Sequence, residues 1–310
     1  MKITLIVSIY LLSFLFQSCH NKLDSTHQNP SGKIIEIDSF PSIHVDPRPV
    51  SIWLPSDYDT SKRYAVLYMH DGQMLYDSTY NWTHQEWKVD ETMSRLSREK
   101  KIRETIVVGI HNNGAYRWAE YVPQAILDSL PEEVKNSIIK KWLNERPSAD
   151  LYLAFITREL KPYIDQHYST LPDQANTFIM GSSMGGIISL YALCEYPEVF
   201  GGAGCLSTHW PLGLPGVTDT DITYDVPGEF IRYLSKKIPS PTNHRIYFDH
   251  GTATLDSLYA PYQVLVDSIM KQNGYTGDNW VTKVFPGEDH TEQAWARRLH
   301  VPLEFLLGTD

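Results

Sequence analysis

A serine set between glycines is the part of this sequence best suited to covalent chemistry. Gly181-Ser182-Ser183-Met184-Gly185 forms a G-x-S-x-G motif, with an apolar segment before it (177–180) and a helix-like segment after it (184–196). In such a strand–turn–helix context the glycines leave room for a tight turn that exposes the serine hydroxyl. A tight turn without catalysis is the alternative. The motif predicts Ser183 as a nucleophile, with the Met184 backbone N–H available to stabilise a developing oxyanion.

A serine nucleophile needs a base that accepts its proton, and in this arrangement the chain order is serine, acid, histidine. His290 ends a Pro-Gly loop, Phe285-Pro286-Gly287-Glu288-Asp289-His290, directly after the last predicted strand. We therefore predict His290 as the base. His250 is the rival because it lies close to the predicted acid loop, whereas His300 lies in a helical segment and is expected to be structural or exposed.

The acid is expected in the loop that follows the predicted strand 245–248. Asp256 lies in that loop and is predicted to fix the tautomer of the histidine and to stabilise the imidazolium. Asp249, at the end of the strand itself, is the main alternative. Asp267 falls well inside the next helical segment and is expected on the surface.

A second oxyanion donor is expected in the loop after the strand 64–69. The segment His70-Asp71-Gly72-Gln73 occupies this loop, and Gly72 permits a turn that directs the backbone N–H of Gln73 toward the pocket. His70 and Asp71 also suggest a histidine–acid pair, but they precede the serine and so do not fit the chain order.

Large aromatic residues and one arginine near the predicted loops are candidates for substrate contact. We predict Trp82, Arg117 and Trp210 as contacts, with core packing as the alternative for the tryptophans and a surface ion pair as the alternative for Arg117. Other aromatic residues near these loops are Trp87, Trp118, Tyr121 and Trp142.

The elements that must position these residues alternate along the chain. Apolar alternation at 32–37 and 50–54 predicts early antiparallel strands. Short continuous apolar runs predict strands buried on both faces, at 64–69, 105–110, 177–180, 245–248 and 280–285. Helical patterns lie near 86–99, 150–167, 184–196, 227–238, 257–273 and 290–307. This alternation predicts an α/β fold with a mainly parallel central sheet and helices on both faces.

An insertion at 111–148 interrupts this alternation, and a short helix is predicted within it at 134–143. Insertions above the carboxyl ends of strands often shape a substrate pocket, although this one could instead cover the edge of the sheet.

The amino terminus has the composition of a targeting segment. Lys2 precedes an apolar run from Ile3 to Phe16, which is typical of a signal peptide and short for a membrane span. The run ends at Ser18-Cys19, so we predict a signal peptide over 1–18 and a bacterial lipoprotein lipidated at Cys19, with ordinary secretion as the alternative. Residues 19–32 are predicted to form a tether and 33–310 the catalytic domain, on the periplasmic or cell-surface side of a membrane.

Composition and charge exclude several classes of protein. The chain has 310 residues, 27 Lys+Arg against 37 Asp+Glu, and a net charge of −10, which argues against nucleic acid as a partner. No zinc-ligand spacing or phosphate-binding glycine motif is present, so no metal or cofactor is predicted. Besides Cys19, the cysteines are Cys194 and Cys205; we expect them on a buried helix and a buried strand, with a disulfide as the alternative.

Taken together, these segments resemble the putative esterase family of α/β-hydrolases, which includes enterochelin-type esterases, S-formylglutathione hydrolases, and feruloyl and acetyl-xylan esterases. The resemblance spans roughly residues 33–308. It rests on His70–Gln73, Gly181–Gly186, Gly251–Asp256, His290–Trp295 with Arg297 or Arg298, and Val108–Arg117 followed by Glu120–Pro123. It implies an α/β-hydrolase fold, a triad of Ser183, Asp256 and His290, and oxyanion amides from Gln73 and Met184. Met74 departs from the family pattern, where many relatives carry Asn.

Three classes of function fit these residues. The first is a serine carboxylic-ester hydrolase acting on acyl or feruloyl esters of carbohydrates or on a siderophore ester. The second is an acyltransferase that uses the same triad with an alcohol in place of water. The third is a non-catalytic binding lipoprotein, which the complete triad disfavours. The predicted partners are a small-molecule or oligosaccharide ester and, through the lipid anchor alone, a membrane.

Overall fold

One mixed sheet organises the part of the chain that the structure, a computed structural model, describes: residues 25–29, 31–79, 81, 83–212 and 224–309. Within these ranges the strand order is β1-β2-β3-β5-β4-β6-β7-β8-β9. The strands are β1 (Ser25–Asn29), β2 (Gly32–Phe40), β3 (Arg48–Leu54), β4 (Ala65–His70), β5 (Thr105–Ile110), β6 (Thr177–Ser182), β7 (Gly202–Leu206), β8 (Arg245–Gly251) and β9 (Trp280–Phe285).

The sheet is parallel from β5 to β9 in its spatial order, whereas β1, β2 and β3 pair antiparallel at one edge. The predicted mainly parallel sheet and the two early antiparallel strands are therefore confirmed. Because β4, β6, β7 and β8 are parallel, their carboxyl ends lie at the same end of the sheet. The loops that follow these strands are therefore neighbours.

Helices cover both faces of the sheet, as predicted. They are α1 (Val89–Arg98), α2 (Arg117–Tyr121), α3 (Gln124–Ser129), α4 (Glu132–Trp142), α5 (Ala149–Phe155), α6 (Lys161–His167), α7 (Met184–Glu195), α8 (Val226–Lys237), α9 (Ala260–Gln272), α10 (Glu292–Arg298) and α11 (His300–Leu307). A π-helical stretch, Ile156–Leu160, joins α5 to α6. Short 3-10 turns lie at Gly72–Met74, Gly114–Tyr116, Gln174–Asn176, Pro241–Asn243 and Thr254–Leu258.

The period-2 geometry of a strand divides the core into two layers. In β4, Val66 and Tyr68 face the layer that contains α5 to α9, whereas Leu67 and Met69 face the layer that contains α1 and α11. Both sets are almost fully buried. The continuous apolar runs of the sequence follow from this burial on both faces.

Two strands, β1 and β7, are not predicted by the apolar pattern of the sequence. β7, Gly-Ala-Gly-Cys-Leu, has a weak strand signal because glycine is disfavoured in strands. Its glycines are required by packing, since a Cβ on Gly204 would lie 2.7 Å from the Met180 side chain. Cys205 lies on β7 and Cys194 on α7, both buried with free thiols, so the expected separate placement is confirmed.

The second additional strand lies within the predicted tether. Residues 25–29 lie within the segment 19–32 that we expected to be a flexible linker, yet β1 pairs antiparallel with β2 along its length. Polar composition alone does not show edge pairing, because an edge strand uses backbone groups that every residue type supplies.

The predicted insertion 111–148 contains α2, α3 and α4, and the expected helix at 134–143 corresponds to α4. The predicted signal peptide, Cys19 and Trp82 lie outside the described residues. Among those that are described, no helix is both long enough and apolar enough to cross a membrane.

Candidate active site

Ser183 occupies a strained turn between β6 and α7. Its backbone has φ +57° and ψ −123°, a conformation that residues with a side chain rarely adopt. The turn is tight enough that a Cβ on Gly181 would lie 2.8 Å from the Gly185 carbonyl carbon, which explains the glycine at position 181. The Ser183 amide donates to the Leu206 carbonyl at 2.9 Å, so β7 anchors the turn.

A second tight turn lies against the first. Asp71 adopts a left-handed conformation (φ +57°, ψ +46°) and leads into the 3-10 turn that contains Gln73. The first hydrogen bond of this turn is donated by Met74 to the Asp71 carbonyl, so the Gln73 N–H precedes the ladder, as does the Met184 N–H at the start of α7. A Cβ on Gly185 would lie 3.4 Å from the His70 Cβ and the Asp71 Oδ2, which places the two turns in contact.

The structure brings Asp256 and His290 together. Asp256 Oδ1 lies 2.6 Å from His290 Nδ1, and the carboxylate is fully buried in the 3-10 turn after β8. Burial alone would raise the pKa of Asp256, but hydrogen bonds from His290, Ser207 and the Gly251 amide stabilise the anion and hold that pKa below its ordinary value. Asp256 is therefore a carboxylate that can orient an imidazole.

The alternative acids and bases have other partners. Asp249, whose pKa is raised by burial, accepts a hydrogen bond from Arg298 at 3.0 Å and one from the Tyr247 hydroxyl at 3.0 Å. His250 Nδ1 lies 2.6 Å from the Gly251 carbonyl. Asp267, partly buried on α9, accepts hydrogen bonds from Gln263 and Thr282.

The hydrogen bond between Ser183 and His290 that would complete a triad is not formed in this structure. Within the part of the chain that the structure describes, Ser183 Oγ makes no hydrogen bond with His290 or with any other residue. Such bonds are often long without substrate and shorten in the reactive complex. The assignment of Ser183, Asp256 and His290 as one catalytic unit accordingly remains a prediction.

The sequence assigns no role to His209 or Tyr259, yet both make contacts beside Ser183 and His290. The His209 amide donates to the Ser183 carbonyl at 3.2 Å, and its buried ring bonds to the Tyr259 hydroxyl at 2.9 Å. That hydroxyl also lies 3.5 Å from His290 Nδ1. Trp118, from the insertion, meets the His209 ring edge to face with centroids 6.1 Å apart. The insertion therefore reaches the surroundings of the serine.

Arg117 forms an ion pair inside this region. Its guanidinium makes two hydrogen bonds to Asp71, at 2.7 and 2.8 Å, and Asn112 adds a third at 2.7 Å. Burial alone would raise the pKa of Asp71, but Arg117 keeps it below its usual value. Of the two sequence-based interpretations, the structure shows the ion pair, which is partly buried and steadies the turn that carries Gln73.

Trp210 corrects one predicted substrate contact. It is 1% exposed, its indole N–H donates to Gln263 at 3.1 Å, and its ring packs against Phe230 and Phe248. Trp210 is therefore a core residue. The sequence could not reveal this because Gln263, the polar partner that permits burial, lies 53 residues away.

His70 offers a test of burial through the pH dependence of stability. It is 2% exposed, bonds to the Tyr152 hydroxyl at 2.8 Å, and has a pKa lowered by burial to about 3. Between that value and about 6.5 the unfolded chain binds a proton that the folded chain excludes, so stability falls as pH falls. From pH 7 to pH 5 we expect His70 to account for about 2 kcal/mol of lost unfolding free energy.

This expectation is measured by urea unfolding at both pH values, for wild type and His70→Gln. On acidification from pH 7 to pH 5, the unfolding free energy of the variant should fall by about 2 kcal/mol less than that of the wild type. The exposed His84, replaced by Asn, is the control and should retain the wild-type slope. An equal loss in His70→Gln and wild type would contradict the assignment.

The described residues contain no cluster of three or more His, Cys, Asp or Glu side chains suited to hold a metal ion.

Comparison with known proteins identifies a family whose model matches this chain and solved structures with a similar fold. The model of the family described as "Putative esterase" matches residues 44–305. "Uncharacterized protein YbbA" of Bacillus subtilis is 21% identical over 271 residues, which is 85% of this chain and 94% of that protein. A solved ferulic acid esterase aligns with TM-score 0.63 and 19% identity over 89% of this chain and 98% of its own. The enterobactin esterase of Shigella flexneri aligns with TM-score 0.61 and 18% identity over 89% of this chain and 58% of its own.

Proposed function

The chain belongs to the Putative esterase family and is an esterase, and on this premise we propose that it hydrolyses carboxylic esters through an acyl-enzyme formed on Ser183. The observation that carries the proposal is the pair of buried Asp256 and partly exposed His290, 2.6 Å apart, at the same end of the strands as the strained serine turn. The α/β-hydrolase fold of the solved esterases has its nucleophile on such a turn.

In the proposed reaction the Ser183 hydroxyl attacks the ester carbonyl carbon while His290 Nε2 accepts its proton. The Asp256 carboxylate stabilises the imidazolium, and the Met184 and Gln73 amides donate to the oxyanion. The carbon–oxygen bond to the leaving alcohol then breaks, and His290 returns the proton to that alcohol. Water repeats the sequence on the acyl-enzyme, which releases the carboxylic acid and restores Ser183.

As substrate we propose an acyl or feruloyl ester of a carbohydrate, or a siderophore ester. The solved ferulic acid esterase and enterobactin esterase support this range. In this chain, Trp118 adds a partly buried aromatic ring next to His209, whose backbone bonds to Ser183. An aromatic face near the nucleophile suits a planar acyl group.

A panel of substrates tests the proposal. The purified chain is incubated with methyl ferulate, acetylated xylan and a catecholate siderophore ester, and the released acids are identified by chromatography. Hydrolysis of at least one ester is expected, with Ser183→Ala as the blank. Release of acid at the same rate by that variant would refute the serine mechanism. Repeating the productive reaction with a competing alcohol separates hydrolysis from acyl transfer, because a transferase forms the new ester.

We propose further that the chain is an exported lipoprotein, anchored through Cys19. The support is the sequence from Lys2 through Cys19 alone. Expression in a Gram-negative host with its own leader should place the protein in the membrane fraction with a lipid-modified amino terminus. Cys19→Ala should release it from the membrane fraction. Equal membrane association of the variant would exclude lipidation at this residue.

A further inference from the structure

Ser207 lies between the two loops that carry the predicted nucleophile and acid. It directly follows β7, which pairs with β6 on one side and β8 on the other. The side chain is fully buried, and its amide donates to the Asp249 carbonyl at 2.8 Å. No sequence motif marked this residue.

The hydrogen bonds of the Ser207 hydroxyl have a fixed direction. Trp295 Nε1 lies 2.9 Å from Oγ and Arg298 Nη2 lies 2.8 Å from it, and both groups can only donate. They occupy the two lone pairs of the hydroxyl oxygen. Its single proton is therefore left for Asp256 Oδ2, which lies 2.5 Å away.

This direction determines the state of Asp256. Its Oδ2 accepts from Ser207 and from the Gly251 amide, at 2.6 Å, so that oxygen has no room for a proton of its own. The other oxygen, Oδ1, faces His290 Nδ1. In the neutral imidazole the proton must then sit on Nδ1, and the Nε2 lone pair remains available as a base.

The charge of Arg298 is balanced elsewhere. Its Nη2 lies 3.0 Å from Asp249 Oδ1 and 3.8 Å from Asp256 Oδ2, and all three side chains are buried. The guanidinium therefore pairs mainly with Asp249 and reaches Asp256 through the Ser207 hydroxyl. This leaves the Asp256 charge directed at His290.

We propose that Ser207 is a positioning residue of the active site, whose hydroxyl, oriented by Trp295 and Arg298, holds Asp256 as an acceptor and thereby fixes the tautomer of His290. The inference rests on the proposed serine mechanism. It assigns to a residue outside the predicted triad the role of aligning its acid.

Removal of the hydroxyl tests this role. Ser207 has φ +42°, where glycine is unstrained, so Ser207→Gly removes the hydroxyl while it relieves the backbone. We expect kcat on the best ester to fall about ten- to a hundredfold, the range of a hydrogen bond to a charged group, with KM within about twofold. Ser207→Ala is the second variant and should show the same split.

Ser169 provides a matched control outside this site. It is a buried serine, and its hydroxyl donates to the Thr60 carbonyl at a distance of 2.9 Å. Ser169→Ala loses one buried hydrogen bond, and its kcat should stay within about twofold of wild type. Thermal unfolding of all variants shows whether enough folded protein is present at the assay temperature.

Imidazole nitrogen NMR provides a readout independent of turnover. With ¹⁵N-labelled histidine, and with His290→Gln to assign the signals, the wild type should show neutral His290 protonated at Nδ1 alone. In Ser207→Gly the Nε2-protonated tautomer should appear. A wild-type kcat or an unchanged tautomer in this variant would overturn the inference. The proposed function fails separately, if Ser183→Ala keeps its activity.

Discussion

Ser183→Ala is expected to lower kcat/KM for ester hydrolysis by at least about a thousandfold, because the proposed acyl-enzyme forms on the hydroxyl that this variant lacks. The measurement is steady-state hydrolysis of p-nitrophenyl acetate, corrected for the spontaneous reaction. The substitution removes a hydroxyl on a partly buried residue that makes no hydrogen bond with the described residues, so the fold should be unaffected. Ser169→Ala again serves as the control and should hydrolyse the ester at close to the wild-type rate.

Covalent labelling makes the same prediction at atomic level. Diethyl p-nitrophenyl phosphate should lose p-nitrophenolate as its phosphorus bonds to Ser183 Oγ, and peptide mass mapping should find one diethylphosphoryl group on the peptide with that serine. The Ser183→Ala protein should take up none. Labelling at another serine together with full activity of the variant would show that the nucleophile lies elsewhere.

The second large effect is expected at a buried ion pair that joins the insertion to the sheet. Arg48, at the start of β3, makes hydrogen bonds of 2.7 and 2.6 Å to Glu120 on α2, and both side chains are about fully buried. The guanidinium also lies 5.3 Å from the centroids of the Tyr152 and Phe155 rings. Glu120→Ala should lower the free energy of unfolding by about 3–5 kcal/mol, because it leaves an unpaired cation in the core.

Urea unfolding measures this loss. The matched control is the exposed pair of Arg146 and Asp46, at 2.6 Å, where Arg146→Ala should cost less than about 1 kcal/mol. Replacing both buried partners, Arg48→Met with Glu120→Leu, should recover most of the stability because no unpaired charge remains. A cost below about 1 kcal/mol for Glu120→Ala would show that water reaches the Arg48 guanidinium.

The same substitution should also reduce activity, since α2 carries Arg117 as well as Glu120. Arg117 holds Asp71, whose turn supplies the proposed Gln73 oxyanion donor. A displacement of α2 would therefore weaken the contact between Arg117 and Asp71 and disturb the turn that carries Gln73.

The acid of the site shows where sequence reasoning reaches its limit. Asp249 lies near the end of β8 and Asp256 lies seven residues further on, in the turn after that strand, so both satisfy the chain order. The structure separates them because Arg298, on α10, pairs with Asp249 and leaves Asp256 facing His290. The partner lies 49 residues along the chain from Asp249, beyond the reach of local patterns.

The tryptophans also show what local sequence patterns cannot predict. A tryptophan next to a predicted loop suits a pocket wall or a core equally well, and Trp210 proved to be core because Gln263 accepts its N–H. The sequence marks Trp295 only as part of a motif, yet its N–H donates to Ser207, which in turn bonds to Asp256. Burial and polar partners are set by packing, which hydrophobic periodicity does not encode residue by residue.

The serine turn, by contrast, was determined by the sequence alone. Two glycines, an apolar run and a helical pattern are all local, and they dictate a strand–turn–helix with Ser183 at positive φ. The alternation of strands and helices likewise predicted a mainly parallel sheet, whose carboxyl edge gathers the loops. Tertiary structure decided which groups meet there: Asp256 with His290, Ser207 with Trp295 and Arg298, and Asp71 with Arg117. These contacts join residues far apart in sequence, so they exist only after the sheet has brought its strand ends together.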